Sequence, residues 1–281
     1  MVRVLITGAG GQLGQAVAAA FTGTCEVVGL DHAALDVADR DAVLQATGAL
    51  RPHVVVHAAA WTAVDACEED PERAYRVNAL GTRHLAEGAE QVDAHLCYVS
   101  TDYVFDGRTR RPYTEWDDAN PLSVYGRSKL GGERACPPGA TIVRTSWLSG
   151  ATGAGTARVV LDLAARQRAL RFVDDQWGSP TVATDLAGAL RRLAIERRPG
   201  VFHVTNQGEA TWYGFARAVL AAAGEDPDRV EPVTRAELQP PRPAPRPAYS
   251  VLDNLALRCS GLPLLPDWRE SVEALVKELC R

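Results

Sequence analysis

Lysine is nearly missing from this chain. Of its 30 Lys and Arg residues only two are lysine, Lys129 and Lys277; almost everywhere else a positive charge is wanted, arginine supplies it. Paired cysteines are missing as well. The six (positions 25, 67, 97, 136, 259 and 280) are scattered with no C-x-x-C, which argues against a disulfide framework and predicts reduced thiols in a cytoplasmic protein. Of the six histidines only His53 and His57 have H-x-x-x-H spacing, and they fall in a run that reads as strand, not helix, so no metal site built on His and Cys is expected. No apolar run reaches the roughly 18 residues a membrane span needs. A net charge of −5 argues against nucleic acid as the main partner. The opening MVRVLITGAGG enters a strand and a glycine turn at once, unlike a signal peptide. There is no internal repeat and no low-complexity tail.

What remains is an ordinary globular composition, 46% hydrophobic and 23% charged over 281 residues, enough chain for one large domain or two small ones. Short β-branched runs alternate with helical patterns from the start. Strands are expected at 2–7, 25–31, 53–60, 95–102 and 141–148. Helices are expected after the glycine turn and at 39–50, 71–92 and 124–136. Such alternation predicts an α/β fold, a doubly wound parallel (Rossmann-like) sheet with helices on both faces. Past residue 150 the rhythm weakens. Helices are expected at 156–169, 183–197 and 213–224, a strand and turn at 171–181, a strand at 201–206 and a closing helix over DWRESVEALVKELC. The division expected is a dinucleotide-binding domain over 1–150 and a mainly substrate-binding region over 151–281, some of whose segments return to the main sheet. The proline-rich residues 239–248 can be neither helix nor central strand. They read either as a surface linker or as a stiff arm carrying Arg246 toward a ligand.

Gly8, Gly11 and Gly14 form G-x-x-G-x-x-G between the first strand and the first helix. Glycines there let the chain turn tightly and let a pyrophosphate reach the backbone, and the helix N-terminus offers unpaired N–H groups and partial positive charge. Asp31 ends the second strand, where an acid bonds the adenosine ribose and disfavours a 2′-phosphate; the plain alternative is a turn-capping aspartate. Asp36 and Val37 follow and border the adenine on this reading. Ala58, Ala59 and Ala60 end the third strand, small enough either to admit a cofactor backbone or simply to let strand and helix pack.

Tyr125 and Lys129 are four apart on a predicted helix and share a face. A phenol titrates near pH 10, and a neighbouring ammonium lowers that value. The ammonium can also bond ribose hydroxyls, in a slot too narrow for a guanidinium fork. Ser100, Thr101 and Asp102 close the fourth strand, on the edge where open parallel sheets bind ligands. A donor phenol, an orienting hydroxyl and a lysine beside a hydride-carrying ring are the equipment of carbonyl reduction.

These residues resemble an extended short-chain dehydrogenase/reductase. Within that superfamily the chain is similar to the dTDP-4-dehydrorhamnose reductases and the related dTDP-4-keto-6-deoxyhexose reductases. The resemblance rests on TGAGGQLG (7–14), HAAAWTAVDACEEDPERAYRVN (57–78), STDYVFDG (100–107), NPLSVYGRSK (120–129), RTSW (144–147), DQWGSPT (175–181), TWYGFA (211–216) and RPAYSVLDN (246–254). It implies a catalytic set of Thr101, Tyr125 and Lys129, with Tyr125 giving its proton to O4 of the sugar. It implies NADH or NADPH held by Gly8, Gly11, Gln12, Leu13, Asp31, Asp36, Val37, Ala58, Ala59, Ala60, Thr62 and Lys129. It places Val64, Asp65, Thr101, Asp102, Tyr125, Trp147 and Arg246 around a dTDP-4-keto-6-deoxyhexose. The family is often a homodimer, with magnesium reported between subunits, but no residue here matches that metal. LSGATGAGTARVV after RTSW, and Trp177 where Phe is commoner, depart from the family on the substrate side and leave the exact sugar open. Two other readings stay open: a nucleotide-sugar epimerase or dehydratase with tightly held NAD, and a non-catalytic NADP-binding regulatory subunit.

Overall fold

The computed structural model describes residues 1–153, 155–238 and 240–281. Ala154, in the LSGATGAGTARVV stretch, and Gln239, at the head of the proline-rich stretch, lie outside the described residues. The first half builds β1 (Arg3–Thr7), α1 (Gln12–Phe21), β2 (Glu26–Leu30), α2 (Arg40–Leu50), β3 (Val54–His57), α3 (Val64–Glu69), α4 (Pro71–Tyr75), α5 (Gly81–Gln91), β4 (His95–Thr101), α6 (Val124–Ala135) and β5 (Thr141–Thr145). The second half builds β6 (Leu148–Ser149), α7 (Thr156–Arg166), β7 (Leu170–Val173), β8 (Trp177–Gly178), β9 (Thr181–Val182), α8 (Ala183–Ile195), β10 (Gly200–His203), β11 (Ala210–Thr211), α9 (Trp212–Ala222), β12 (Val230–Val233), α10 (Leu255–Cys259) and α11 (Trp268–Leu279).

Six strands form one sheet in the order β10-β5-β4-β3-β1-β2, every neighbouring pair parallel. Parallel sheets are covered on both faces, so their strands read as unbroken apolar runs. Alternation along each strand splits the core in two. Val4, Ile6, Val54, Val56, Cys97 and Val99 pack against α1 and α8. Leu5, Val55 and Leu96 pack on the other face with Val43 of α2 and Leu85 of α5. A third cluster joins α7, α9 and α11 around Phe215 and Trp268, beside the parallel β7–β12 pair. α8 and β10 thus complete the main sheet and its layer from beyond residue 150. Strand order reverses between β1 and β3, and the crevice at their carboxyl ends is where such sheets bind ligands.

Several expected elements end early or break. The helix expected over 71–92 is α4, a wide π turn over Arg76–Leu80, and α5. The wide turn carries Asn78, whose side chain accepts from the Trp61 N–H (2.8 Å) and donates to the Trp61 carbonyl (3.1 Å) and to Ser128 Oγ (2.9 Å). This clasp fixes the chain after β3 to α6. The strand expected over 141–148 stops at Thr145, because Trp147 takes a left-handed backbone (φ 44°), and Leu148–Ser149 pairs instead with Thr181–Val182. Periodicity did not predict α3, α10 or β12.

The polar helix α6 is pressed onto the turn that follows β4. A Cβ on Gly126 would run into the Tyr103 carbonyl oxygen and lie 3.0 Å from Pro121 Cβ, whereas one on Gly188 of α8 meets nothing within 4 Å. Gly126→Ala is therefore expected to lose about 1–3 kcal/mol of stability, and Gly188→Ala to gain up to about 1 kcal/mol from helix propensity. Urea unfolding midpoints of the two variants check this; equal midpoints would contradict the packing described.

Candidate active site

The glycine turn joins β1 to α1. Gly8 has φ 71°, and its Cα lies so close to the chain just after β3 that a Cβ would sit 2.7 Å from the Ala59 backbone nitrogen, so only glycine fits. Gly11 N–H closes the turn onto the Gly8 carbonyl at 3.0 Å. α1 then starts with no side-chain cap on its first N–H groups, the arrangement that receives an anion. Two adjoining clefts share Gly8, Gly10, Gly11, Ala58 and Ala60. The first, about 580 Å³, is lined by Asp31, Asp36, Val37 and Ala59, with Arg73 and Trp61. The second, about 640 Å³, takes in Gln12, Leu13, Thr62, Val64, Thr101, Asp102, Tyr125, Lys129 and Trp147. Glycine backbone on one wall and a bare helix start suit a dinucleotide's pyrophosphate, so the residues present fit that group.

Individual side chains refine the expectations. Asp31 lines the first cleft and also caps its own turn, Oδ1 accepting from Ala34 N at 2.9 Å. Asp36 does the same with Ala38 N at 3.0 Å. Gln12 reaches across 138 residues, its Oε1 accepting from Gly150 N at 3.0 Å, and ties the glycine turn to the turn after β6. Asp65 and Arg246 are not among the side chains that line either cleft. They hold each other in a bidentate pair (2.7 and 2.9 Å), and Asp65 also accepts from Ala244 N at 3.0 Å. The arginine's fork matches one carboxylate, and the pair straps the proline-rich segment to α3.

Thr101 ends β4. Its hydroxyl donates to Asp102 Oδ1 (3.1 Å) and accepts from Tyr103 N (3.2 Å). Asp102 Oδ2 accepts from Ser250 Oγ at 2.6 Å. Burial pushes the Asp102 carboxyl up to about 7, against the pull of the Ser250 and Thr101 hydroxyls. Tyr125 sits in the first turn of α6, which Ser123 caps by accepting from Gly126 N. Lys129, 2% exposed, lies one turn on. It donates to the Val99 carbonyl at 2.7 Å and stands 4.2 Å over the Tyr98 ring.

That position corrects the expected coupling. The phenol of Tyr125 is not lowered: desolvation raises it above the ordinary range, and the group that opposes the rise is the Thr101 hydroxyl, not Lys129. The lysine itself is drawn down to about 7 by burial, with Glu133 resisting. Its head is turned to β4, onto the Val99 carbonyl.

Sequence reasoning missed what lies behind the lysine. Glu133, one further turn along α6, makes a bidentate ion pair with Arg144 of β5 (2.7 and 2.9 Å), both side chains 6% exposed. Ser100 Oγ donates to the same carboxylate at 2.6 Å, and Arg144 stacks 5.1 Å over Phe105. The signal was present: Tyr125, Lys129 and Glu133 recur every fourth residue. Trp212 was missed too. It stacks on Trp147 at 3.6 Å and 10°, and both indoles face the second cleft.

Comparison with known proteins follows the same lines. The family described as "RmlD substrate binding domain" matches residues 2–281. The chain is 45% identical over 279 residues to a probable dTDP-4,6-dihydroxy-2-methyloxan-3-one 4-ketoreductase of Streptomyces antibioticus, covering 96% of this chain and 93% of that one. It superposes with TM-score 0.96 and 40% identity on a dTDP-4-dehydrorhamnose reductase of Clostridium acetobutylicum, each chain covered in full. The dTDP-4-dehydrorhamnose reductase of Bacillus anthracis, solved in complex with NADP, gives TM-score 0.94 at 35% identity, covering 99% of this chain and all of that one.

The raised Asp102 carboxyl makes stability depend on pH. Its folded pKa, about 7, exceeds the unfolded value, so the native state binds the extra proton. The contribution is full below about pH 4 and is lost as pH rises through 7. Asp102→Asn is expected to remove a fall in unfolding free energy of the order of a few kcal/mol between pH 4 and 7. Urea titrations across that range check it; an unchanged slope in the variant would contradict the assignment.

Proposed function

The chain belongs to the RmlD substrate binding domain family, and from that premise we propose that it reduces the C4 ketone of a dTDP-4-keto-6-deoxyhexose with NADH or NADPH. The product is dTDP-L-rhamnose from dTDP-4-dehydrorhamnose, or a related deoxysugar of the kind the Streptomyces antibioticus relative's name describes. The observation that carries this reading is one cleft in which Thr101, Tyr125 and Lys129 meet the glycine turn. The NADP complex of the Bacillus anthracis relative supports the coenzyme.

When bound, a reduced nicotinamide dinucleotide supplies the hydride. The chain's own residues do the rest. Tyr125 gives its proton to O4 as the ketone carbon becomes a carbinol, and the loss of that proton leaves a phenolate. Thr101 holds O4 by turning its one hydroxyl proton to that oxygen from Asp102 Oδ1, the carboxylate oxygen that otherwise accepts it. Lys129, released from the Val99 carbonyl, is the cation able to stabilise that phenolate and to bond ribose hydroxyls. Trp147 and Trp212 offer an apolar wall to the deoxysugar. The same reading carries two further proposals: a cytoplasmic location, supported by six free cysteines, and a homodimer, supported by the family resemblance. Among the described residues no helix is long and apolar enough to cross a membrane.

Tyr125→Phe is expected to lower turnover by about 100- to 10,000-fold while coenzyme affinity stays unchanged. Coenzyme oxidation with a panel of dTDP-4-keto-6-deoxy sugars, and NMR of the products, would check it. Undiminished turnover in the variant refutes the role of Tyr125, and no oxidation of either coenzyme by any such sugar in the parent protein refutes the reaction. Purified protein that already carries unexchangeable NAD would favour an epimerase or dehydratase instead.

A further inference from the structure

β5 ends beside the site with a hydroxyl that has no task. Thr145 pairs in register with Thr101 of β4, so the two side chains stand at the same level on the carboxyl edge of the sheet. Thr145 is 7% exposed, and its Oγ1 is one of the few buried polar atoms among the described residues with no hydrogen-bond partner. Its neighbour Ser146 is already engaged, donating to the Ser179 carbonyl at 2.5 Å, and Thr141 at the start of the strand bonds His95 and the Arg198 carbonyl. Buried hydroxyls are normally paired, and an unpaired one aimed into a cleft calls for a ligand. Thr145 lines the same cleft as Thr101, Tyr125 and Lys129.

The direction of a dinucleotide across the sheet says which ligand. The glycine turn over β1 takes the pyrophosphate, and Asp31 and Asp36, on the β2 side, mark the adenosine end. The nicotinamide end therefore runs the other way, over β3 and β4 toward β5. The ring has one polar substituent, a primary carboxamide, and a threonine hydroxyl can both donate to it and accept from it.

Resting on the reading of the site given above, we propose that Thr145 Oγ1 binds the nicotinamide carboxamide and so fixes which face of the ring is turned toward Thr101 and Tyr125. The test compares Thr145→Val, which keeps the shape and removes the hydroxyl, with Thr145→Ser, which keeps it. Each protein is titrated calorimetrically with NADH, NADPH and ADP-ribose, the last lacking the nicotinamide. The valine variant is expected to bind its preferred reduced coenzyme about tenfold more weakly, the worth of one hydrogen bond, to bind ADP-ribose as before, and to be rescued by serine. Parent-like coenzyme affinity in the valine variant overturns the proposal. So does equal loss of coenzyme and ADP-ribose, or a raised KM for the sugar with coenzyme affinity intact. Parent protein that binds neither coenzyme overturns the reading of the site, and this inference with it.

Discussion

One face of α6 carries Tyr125, Lys129 and Glu133 at successive turns, and it is packed inward against β4 and β5. Burying two charges in a protein interior is costly unless each finds a partner. Glu133 finds Arg144 and Ser100; Lys129 finds the Val99 carbonyl and the face of Tyr98. Those partners lie on the very strands whose ends form the cleft. The helix therefore cannot rotate or slide without breaking a buried ion pair, and Tyr125 at its first turn inherits that rigidity. Glycines keep the contact close: a side chain on Gly132 would collide with the Tyr98 hydroxyl, as one on Gly126 would with Tyr103.

The end of β4 distributes three consecutive polar side chains to three jobs. Ser100 points back to Glu133, Thr101 lines the cleft, and Asp102 reaches Ser250 in the segment after the proline-rich strap. The C-terminal region is thus joined to the end of β4 by a hydrogen bond between residues 148 positions apart. Gln12 with Gly150, and Asp65 with Arg246, make two more such ties. The two sides of the cleft are held together by long-range polar contacts.

This division explains what the sequence disclosed. Glycine spacing, strand–helix alternation and the Tyr125/Lys129 interval are short-range patterns, and each gave its element and its edge of the sheet correctly. The clasp of Asn78 on Trp61, the left-handed Trp147 and the pairing of Arg246 with Asp65 depend on residues distant in the chain, where no periodicity reports them. Lys129 is the instructive case. Its place on the helix was legible from a four-residue interval. Its partner was not, because Tyr125 is near in sequence while the Val99 carbonyl is near only in the folded chain. Burial, which composition does not reveal, then moved both titrating groups away from the expected coupling.

The central claim is that this cleft brings a ketone at sugar C4 against a hydride donor and the Tyr125 proton. The most direct measurement is isotopic. Parent protein is supplied with reduced coenzyme deuterated on the transferring side of nicotinamide C4 and with dTDP-4-keto-6-deoxyhexose, and the product is read by NMR. The account predicts one deuterium on C4 of the sugar, in a single configuration, for each coenzyme oxidised. Coenzyme oxidised with no label at that carbon, or sugar converted with the label still on the coenzyme, would contradict it.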